Sequence, residues 1–329
     1  MKLSVHIPTY RRPDAINQCL AHLAAQSCAH PFEIIVGLDG PASATPDPVV
    51  PDSIQANTKL LRLDRLGLIG VRKAMLEETQ AEIVLWLNDD AYAHRGLLDA
   101  HIAMHDARSD CVVGGVARWK PIDQPDLFDL LIQQTDLVFF HQPMQGEPSL
   151  VDYRNCFGLN MSFPRALAVQ AGGIPDMTES YGYDDIELVH RLHHAGADIW
   201  HAPDAIVTHD HRYRPEDVHR REYLLGRAAW HYAKFNPEFA NDLFGREITT
   251  EAELGYIKEA LMRGRRDAER IERSFLELGK RTPELASLDL IAEHWILLKR
   301  YLWRWGVLDA ACGNAPRWSK LSELSATLH

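Results

Sequence analysis

The sequence has few cysteines, no long apolar run and an opening that is not apolar, and each absence excludes a class of protein. The five cysteines among 329 residues are scattered, without the paired spacing of a metal site or the pattern of a disulfide framework. No uninterrupted apolar stretch approaches the roughly 20 residues that span a bilayer. The first residues, MKLSVHIPTYRRP, reach charged side chains early, so we do not expect a signal peptide. We therefore expect a cytoplasmic protein with free thiols.

A basic excess is also missing. Lys and Arg number 35 against 46 Asp and Glu, which gives a net charge of −11. A general nucleic-acid binder shows the opposite balance, so we expect no nucleic-acid partner, although a local cationic pocket for a small anion remains compatible with this charge. The composition is that of a soluble globular protein, and the length allows one large domain with an appendage.

The first half of the chain alternates strand-like and helix-like segments. We predict strands at 2–8, 33–39, 58–63, 82–88 and 111–117, and helices at 13–27 and 70–80. Strands separated by helices indicate a largely parallel sheet that is covered on both faces. Ligands bind beyond the carboxyl ends of the strands in such sheets, and Asp39 and the run Asn88-Asp89-Asp90 fall there.

The last third of the chain has a helical pattern. Apolar side chains recur at helical spacing after the capping-box signature Thr250…Glu253, and again between Leu288 and Trp305. We therefore divide the chain into an α/β domain at 1–212 and a helical C-terminal extension at 213–329.

One segment of this extension, HWILLKRYLWRWGV at 294–307, mixes tryptophan with lysine and arginine. A buried helix whose basic side chains extend to solvent is the simpler interpretation. Peripheral contact with the inner face of a membrane, or a homodimer seam through these helices, stays open.

Adjacent carboxylates at 89–90 and 184–185 are the first candidates for chemistry. Asp89 and Asp90 follow a buried strand, where hard oxygen ligands suit Mg²⁺ or Mn²⁺ beside a diphosphate, although such pairs also occur in plain turns. Asp184 and Asp185 begin a predicted helix, and capping explains one of them but not both. A carboxylate at a helix start that faces a cleft can act as a general base.

Two further segments carry weaker signals. His209-Asp210-His211 ends an apolar strand, and imidazole is a ligand of divalent metals, but a chain with 17 histidines also uses them structurally. The loop from Arg65 to Arg72 combines two glycines with two arginines and has the chemistry to approach a phosphate, without the spacing of a known phosphate loop.

Taken in order, these segments resemble the inverting family-2 glycosyltransferases of the GT-A fold. HIPTYRR is similar to the family's first strand and P-T-Y-x-R turn, GLDG to its second-strand acidic position, and RLGLIGVRKA to its N-x-G-x-x-x-A-R-N helix start. LNDD is similar to the aspartate-x-aspartate metal motif. FGLNMSFPRALAVQAGGIPD, GYDDIELVHRLHHAG and IVTH resemble the acceptor-side segment, the segment of the catalytic base and the strand-end histidine. The resemblance covers roughly residues 1–211.

The resemblance implies a fold, a set of ligands and a set of site residues. The fold is α/β of the GT-A type, a Rossmann-like, mostly parallel central sheet flanked by helices, here with a helical extension. The implied partners are a nucleotide-sugar donor and a glycan, lipid-linked or small-molecule acceptor, with Mn²⁺ or Mg²⁺ as cofactor. It implies donor binding by Pro8, Thr9, Tyr10, Arg12, Asp39, Arg72, Asn88 and Asp89, metal binding by Asp90 and His209, a catalytic base at Asp185, and an acceptor-side place for Asn160, Tyr183 and Asp184.

The chain departs from the family pattern at several positions. Asn88 replaces the first aspartate of the metal motif, so we expect Asp90 to carry the metal and Asp89 to lie near the ribose or sugar. Asp184 replaces the usual glutamate, and Gly40-Pro41 replaces the usual acidic-serine continuation after Asp39. Which base the donor carries is therefore open.

The implied reaction is the metal-dependent transfer of a sugar, with inversion, from a nucleotide-diphosphate donor to an acceptor hydroxyl. A UDP-sugar is the expected donor, and polysaccharide or glycoconjugate biosynthesis the expected setting. A nucleotidyltransferase on a similar sheet is one alternative, but it would carry a glycine-rich loop after the first strand, which PTYRRPD lacks. A non-catalytic nucleotide- or carbohydrate-binding protein is another. A metal-dependent hydrolase would leave the N-terminal motifs unexplained.

Overall fold

The computed structural model describes residues 1–135, 146–177, 182–281, 288–318 and 320–321, which form two compact units. The first unit comprises the described residues within Met1–Lys120, Gln142–Thr178 and Asp184–His211. The second comprises those within Pro121–His141, Glu179–Tyr183 and Arg212–His329. The predicted boundary between residues 212 and 213 stays a prediction.

The first unit is built on a sheet to which the described residues contribute nine strands. These are β1 (Leu3–Thr9), β2 (Phe32–Asp39), β3 (Thr58–Leu63), β4 (Ile83–Leu87), β5 (Ala91–Ala93), β6 (Cys111–Trp119), β7 (Ser149–Leu150), β8 (Asn160–Pro164) and β9 (Asp198–His209). Their order across the sheet is β3-β2-β1-β4-β8-β6-β9-β5, and β7 pairs with β9.

Strand direction confirms the mostly parallel sheet. The neighbours β3, β2, β1 and β4 are parallel, β8 is antiparallel to both β4 and β6, and β9 is parallel to β6. The short strands β5 and β7 pair with β9 in the antiparallel sense. Six of the nine described strands therefore run in one direction, and the carboxyl ends of β1, β2, β4 and β9 lie at the same edge.

Continuous apolar runs explain the central strands. All five residues of β4, IVLWL, are buried, as expected for a strand with elements packed on both faces. The first unit carries the helices α1 (Pro13–Ala24), α2 (Asp52–Gln55), α3 (Gly67–Glu78), α4 (Leu97–Ala107), α6 (Arg165–Gln170) and α7 (Asp184–His194), and a 3₁₀ helix at Tyr153–Asn155. Helix α3 packs close to β2 because Gly37 has no side chain, and a Cβ there would lie 2.4 Å from Val71 Cγ1.

The second unit is helical, which confirms the predicted helical character of the C-terminal region. It contains α5 (Leu127–Gln134), α8 (Pro215–Phe235), α9 (Pro237–Phe244), α10 (Glu251–Leu276), α11 (Leu288–Ala311) and a 3₁₀ helix at Leu278–Lys280. The Thr250 side chain caps α10 by accepting from Glu253 N at 3.2 Å. Helices α8 and α11 cross closely, because a Cβ on Gly226 would lie 1.9 Å from Trp303 O.

The tryptophan-rich segment of α11 is largely used inside this unit. Trp295 and Trp305 are buried, and Trp303 Nε1 donates to Tyr183 Oη at 3.1 Å. None of the helices in the described part of the chain combines the length and the apolar character that crossing a bilayer requires. Peripheral membrane contact and a homodimer seam stay predictions.

Candidate active site

The acidic turn after β4 lies beside the end of β9. Asn88, Asp89 and Asp90 connect β4 to β5, and β5 pairs with β9 so that Ala91 lies opposite His209. As a result Asp90 Oδ2 lies 3.5 Å from His209 Nε2 and 3.2 Å from His211 Nδ1. The structure thus brings together the two residues predicted to bind a metal, and it adds His211.

These three side chains have the composition of a metal site. One ligand atom from each of Asp90, His209 and His211 lies within 4.8 Å of the others. Asp90 is buried, and its Oδ1 atom has no hydrogen-bond partner among the described residues. Burial alone would raise the pKa of Asp90, but the hydrogen bonds from His209 and His211 hold it well below its ordinary value. The carboxylate is therefore charged and has one oxygen available for a cation.

The sequence interpretation assigned His209 and left His211 without a role. Strand side chains alternate between faces, so residues two apart at a strand end project on the same side. The spacing His209-x-His211 was therefore the signal that identifies His211 as a second imidazole at this position.

A cation inside the chain already compensates the acidic turn. Arg12 lies with Nη1 2.9 Å from Asp89 Oδ1 and Nη2 2.7 Å from Asp90 Oδ2, and Thr9 Oγ1 donates to Asp89 Oδ2 at 2.7 Å. Burial raises the pKa of Asp89 to about 6, although Arg12 opposes that rise. Arg12 was predicted to contact the donor, and in this structure its guanidinium is engaged by the two carboxylates.

Helix α1 packs against the acidic turn through Cys19. Cys19 Sγ lies 3.8 Å from both Asn88 O and Ala91 O and is buried, and that burial raises the pKa of its thiol well above the ordinary value. Cys19 is therefore a neutral packing residue beneath the turn. Asn88 itself forms the turn through its backbone, since Ala91 N donates to Asn88 O at 3.1 Å.

Tyr10 and Asp39 meet beyond the ends of β1 and β2. Asp39 accepts hydrogen bonds from Leu66 N at 2.6 Å and Gly67 N at 3.1 Å and pairs with the Arg65 guanidinium. The same guanidinium lies over the Tyr10 ring, 3.8 Å from its centroid. The structure thus brings these two predicted donor-site residues together and adds Arg65. Pro8 lies in β1 opposite Gly37.

The backbone is unusual at this position. Arg11 and Arg65 have φ values of 57° and 27°, and Gly40 and Gly67 have φ values of 112° and 75°. Left-handed conformations of non-glycine residues cost free energy and cluster at functional sites. This concentration of them around Tyr10 and Asp39 marks the sheet edge as a candidate binding site.

Asp185, the predicted base, lies at the start of α7. Gly158 N donates to Asp185 Oδ2 and Ile186 N to Asp185 Oδ1, both at 2.9 Å. Burial and the neighbouring Asp184 raise the pKa of Asp185, and Arg72 and the two amide bonds oppose the rise. Arg72 pairs with Asp184 in this region, whereas Arg12 pairs with Asp89 and Asp90 at the acidic turn.

The three residues predicted on the acceptor side have internal partners. Asn160 is buried, its Nδ2 donates to Val116 O and Ala205 O, and its Oδ1 contacts His101 Nε2 at 2.9 Å. Tyr183 belongs to the second unit, where Trp303 is its partner, and Asp184 pairs with Arg72. Their acceptor-side role stays a prediction.

Two family models match this chain. Residues 4–161 match the model described as glycosyl transferase family 2, and residues 149–214 match a model described as N-terminal domain of galactosyltransferase. The predicted resemblance to family-2 glycosyltransferases is confirmed.

Two curated relatives illustrate the similarity. YfnE of Bacillus subtilis (strain 168), an uncharacterized glycosyltransferase, is 30% identical over 125 residues, which cover 37% of this chain and 31% of the relative. The validoxylamine A glucosyltransferase of Streptomyces hygroscopicus subsp. jinggangensis (strain 5008) is 27% identical over 218 residues, covering 59% of this chain and 52% of the relative. The chain thus spans about half or less of the length of the relatives it matches.

Solved structures share the fold. The mannosyltransferase PcManGT from Pyrobaculum calidifontis, in complex with GDP-Man and Mn²⁺, aligns with a TM-score of 0.55 at 18% identity, covering 95% of this chain and 88% of that one. S. aureus TarS 1–349 in complex with UDP-GlcNAc aligns with a TM-score of 0.50 at 18% identity, covering 97% and 94%. With the family match, these alignments confirm the GT-A type of α/β fold.

Proposed function

From the match of residues 4–161 to the model of glycosyl transferase family 2, we propose that the protein transfers a sugar from a nucleotide-diphosphate donor to an acceptor hydroxyl with inversion. The observation that carries the proposal is that the first unit contains two carboxylates whose pKa values are shifted in opposite directions. Asp90 is held ionised with an oxygen free for a cation, whereas the pKa of Asp185 is raised. Carboxylates whose environments drive their pKa values apart suit distinct roles in one reaction.

The residues present fit a divalent cation. Asp90, His209 and His211 would hold it, since Asp90 Oδ1 is buried without a partner in the described structure and both imidazoles lie beside the same carboxylate. Two nitrogen ligands suit Mn²⁺ better than Mg²⁺, which prefers oxygen. When bound, the cation would neutralise charge on the departing diphosphate. The structure of a neighbour of the same fold in complex with GDP-Man and Mn²⁺ supports this choice.

Asp185 is the base in this proposal. It takes the proton of the acceptor hydroxyl, and the hydroxyl oxygen forms a bond to the anomeric carbon on the face opposite the leaving group. The bond between that carbon and the phosphate oxygen breaks, and the nucleoside diphosphate leaves with the electron pair. A base with a raised pKa is better matched to a hydroxyl proton than an ordinary carboxylate is.

The donor binds at the sheet edge. Asp39 accepts a hydrogen bond from the base or ribose, Tyr10 offers a ring face for stacking, and Asp89 lies beside Asp90 toward the ribose or sugar. We propose a UDP-sugar as the donor, and a glycan, a lipid-linked sugar or a small molecule as the acceptor, in polysaccharide or glycoconjugate biosynthesis. Neighbours with UDP-GlcNAc and GDP-Man support a nucleotide sugar of this general type.

The alternatives differ in what they require. A nucleotidyltransferase is disfavoured by the family match, and a non-catalytic binding protein would have no use for a half-buried carboxylate of raised pKa at Asp185.

The test uses the full chain with Mn²⁺ and a panel of UDP-, GDP-, dTDP- and CMP-sugars. Release of the free nucleotide is measured, with thermal stabilisation by each nucleotide as a second readout. We expect Asp185→Asn to lower kcat by about 10²–10⁴-fold while the donor Kd stays close to that of the wild type. Asp198→Asn, at an exposed carboxylate of the same unit, is the matched control.

Each contradictory outcome has its own meaning. If Asp185→Asn retains the wild-type kcat, the base assignment is wrong. If the wild type neither binds nor cleaves any donor of the panel, the proposed function is wrong.

A further inference from the structure

Arg72 lies in a buried position that its predicted donor role does not explain. Its side chain is 4% exposed, and its guanidinium lies over the Trp86 ring, 4.1 Å from the centroid. Arg72 Nη1 donates to Asp184 Oδ2, and Arg72 Nη2 donates to Gly158 O at 3.1 Å. Sheet, helix start and loop are therefore joined through one cation.

Gly158 links this cation to the base. A Cβ on Gly158 would lie 2.5 Å from Arg72 Nη2 and 2.9 Å from Arg72 Cζ, so the guanidinium packs flat against the glycine backbone. On its other side, Gly158 N donates to Asp185 Oδ2 at 2.9 Å. Arg72 therefore binds the carbonyl of Gly158, and the amide of the same glycine binds Asp185. Arg72 also pairs with Asp184, the first residue of the helix that carries Asp185.

Binding of the donor diphosphate would require Arg72 to leave these contacts. The side chain has almost no exposed surface to offer a phosphate, and its departure would leave Asp184, which is 6% exposed, without its cationic partner. Removing one partner of a buried ion pair is strongly unfavourable.

We propose that Arg72 is a positioning residue for Asp185, acting through Gly158 and Asp184, and not a ligand of the donor diphosphate. The inference rests on the proposed function, in which Asp185 is the base.

Among the described residues, Asp184, Arg72 and Cys156 are titratable or charged side chains that interact with Asp185. Asp184 is its neighbour on α7, Arg72 approaches from α3, and the thiol of Cys156, which burial keeps neutral by raising its pKa, lies in the loop that also contains Gly158. Asp184 raises the pKa of Asp185 and Arg72 lowers it. Removing either member of the ion pair therefore moves the titration of the base, and the two removals act in opposite directions.

The test compares Arg72→Gln with Asp184→Asn through the pH dependence of kcat and the donor KM. Loss of the cation raises the pKa of Asp185, so the acidic limb of the Arg72→Gln profile moves to higher pH by about one unit. Loss of the anion lowers that pKa, so the limb of Asp184→Asn moves to lower pH. The donor KM stays within about twofold of the wild type in both variants, because neither removes a donor contact.

A diphosphate-binding Arg72 gives the reverse pattern. Arg72→Gln would then raise the donor KM by about tenfold or more and leave the acidic limb in place, and this result overturns the proposal. The matched control is Lys73→Gln, which removes a cation from the next residue of α3, where Lys73 pairs with the exposed Asp176 at 3.1 Å. It should move neither quantity.

A second variant covers the case in which Arg72→Gln does not fold. Gly158→Ala keeps every charge but displaces the guanidinium, and it should lower kcat with an unchanged donor KM. A wild-type kcat in Gly158→Ala overturns the proposal. If the wild type is inactive, both the proposed function and this inference are wrong. If the wild type is active but Arg72→Gln has a raised donor KM, only the role proposed for Arg72 is wrong.

Discussion

Two histidine clusters in the first unit have similar compositions and different chemistry. One, the rim cluster, is Asp90, His209 and His211 at the end of β9. The other, the core network, joins His101 and His105 of α4 to Ser162 and Asn160 of β8. Both consist of closely spaced histidines with polar partners, so the residue types alone do not separate a metal site from a structural network.

The core network is complete. Because Asn160 Nδ2 donates to Val116 O and Ala205 O, its Oδ1 accepts from His101 Nε2 at 2.9 Å. His101 Nδ1 is then an acceptor for the Ser162 hydroxyl at 2.8 Å, and Ser162 Oγ accepts from His105 Nε2 at 2.8 Å. Burial lowers the pKa of His101 to about 4 and that of His105 to about 3.

The rim cluster is incomplete. Asp90 Oδ1 is buried without a partner in the described structure, and the carboxylate is held ionised beside two imidazoles. Because Asp90 Oδ1 is unpaired among the described residues and two imidazoles lie beside the same carboxylate, a bound cation would satisfy this oxygen. The comparison teaches that hydrogen-bond satisfaction, and not residue type, separates the two clusters.

Among substitutions in these two clusters, the largest effect is expected from Asp90→Asn. It removes the only carboxylate of the rim cluster, so metal-dependent kcat should fall by about 10²–10³-fold, measured by nucleotide release across Mn²⁺ concentrations. Asp210→Asn is the matched control, because Asp210 lies between the two histidines but pairs with Lys120 at 2.7 Å. Equal losses in both variants would show that the rim cluster has no special role.

Acid should weaken the core network. The unfolded chain binds protons at these histidines near pH 6.5, and the folded chain does so only near their lowered pKa values. Their contribution to the free energy of unfolding is thus present above pH 6.5 and is lost as the pH falls toward 4, by up to about 3 kcal/mol per histidine. Urea unfolding between pH 7 and 4 measures this.

Subtracting the same titration of a His101→Ala variant isolates the contribution of His101. A difference that does not change with pH contradicts a neutral, buried His101.

His101→Ala should also destabilise the protein at pH 7. The substitution removes the His101 hydrogen bonds to Asn160 Oδ1 and to the Ser162 hydroxyl and opens a cavity, at a cost of about 2–4 kcal/mol in the free energy of unfolding. Mn²⁺ affinity measured by calorimetry should not change. Asp106→Ala, on the same helix at an exposed carboxylate paired with Lys2, is the control and should leave the free energy of unfolding close to that of the wild type. If His101→Ala loses Mn²⁺ binding, the core network contributes to the metal site, which contradicts our account.

The smallest effect belongs to His211→Gln. Because Asp90 and His209 remain, we expect Mn²⁺ affinity to fall by about 10–100-fold without loss of stability. If Mn²⁺ affinity is unchanged, His211 is not a ligand, and only Asp90 and His209, the two residues that the sequence indicated, bind the metal.

Local patterns predicted much of the fold. Strands β1 to β4 and β6 begin and end within two residues of their predicted bounds, because segments rich in apolar residues give way to polar turn residues such as Asp64 and Asn88. Helix α4 was missed, since the buried face of LLDAHIAMHDA carries the polar ring of His101 and breaks the apolar periodicity. Helices α5 and α9, each eight residues long, offer too short a pattern to recognise.

The candidate site was predictable only in its residue types. The ends of the predicted strands identified Asp39, Asp89 and Asp90 as site residues. The sequence did not show which of these carboxylates form ion pairs with residues far away in the chain. Arg72 pairs with Asp184 across 112 positions and Arg12 with Asp90 across 78, so both arginines were assigned to the donor when their described partners are carboxylates of the chain. Only the folded arrangement shows which charges already have partners.

The most direct test of the account is the coordination of Mn²⁺ by this chain. Electron spin-echo envelope modulation of bound Mn²⁺ detects the nitrogen nuclei of coordinated imidazoles. We expect modulation from two imidazoles in the wild type and from one in His211→Gln, and loss of the bound-metal signal in Asp90→Asn at the same concentration. Bound Mn²⁺ without nitrogen modulation, or unchanged binding in Asp90→Asn, would contradict the proposed site.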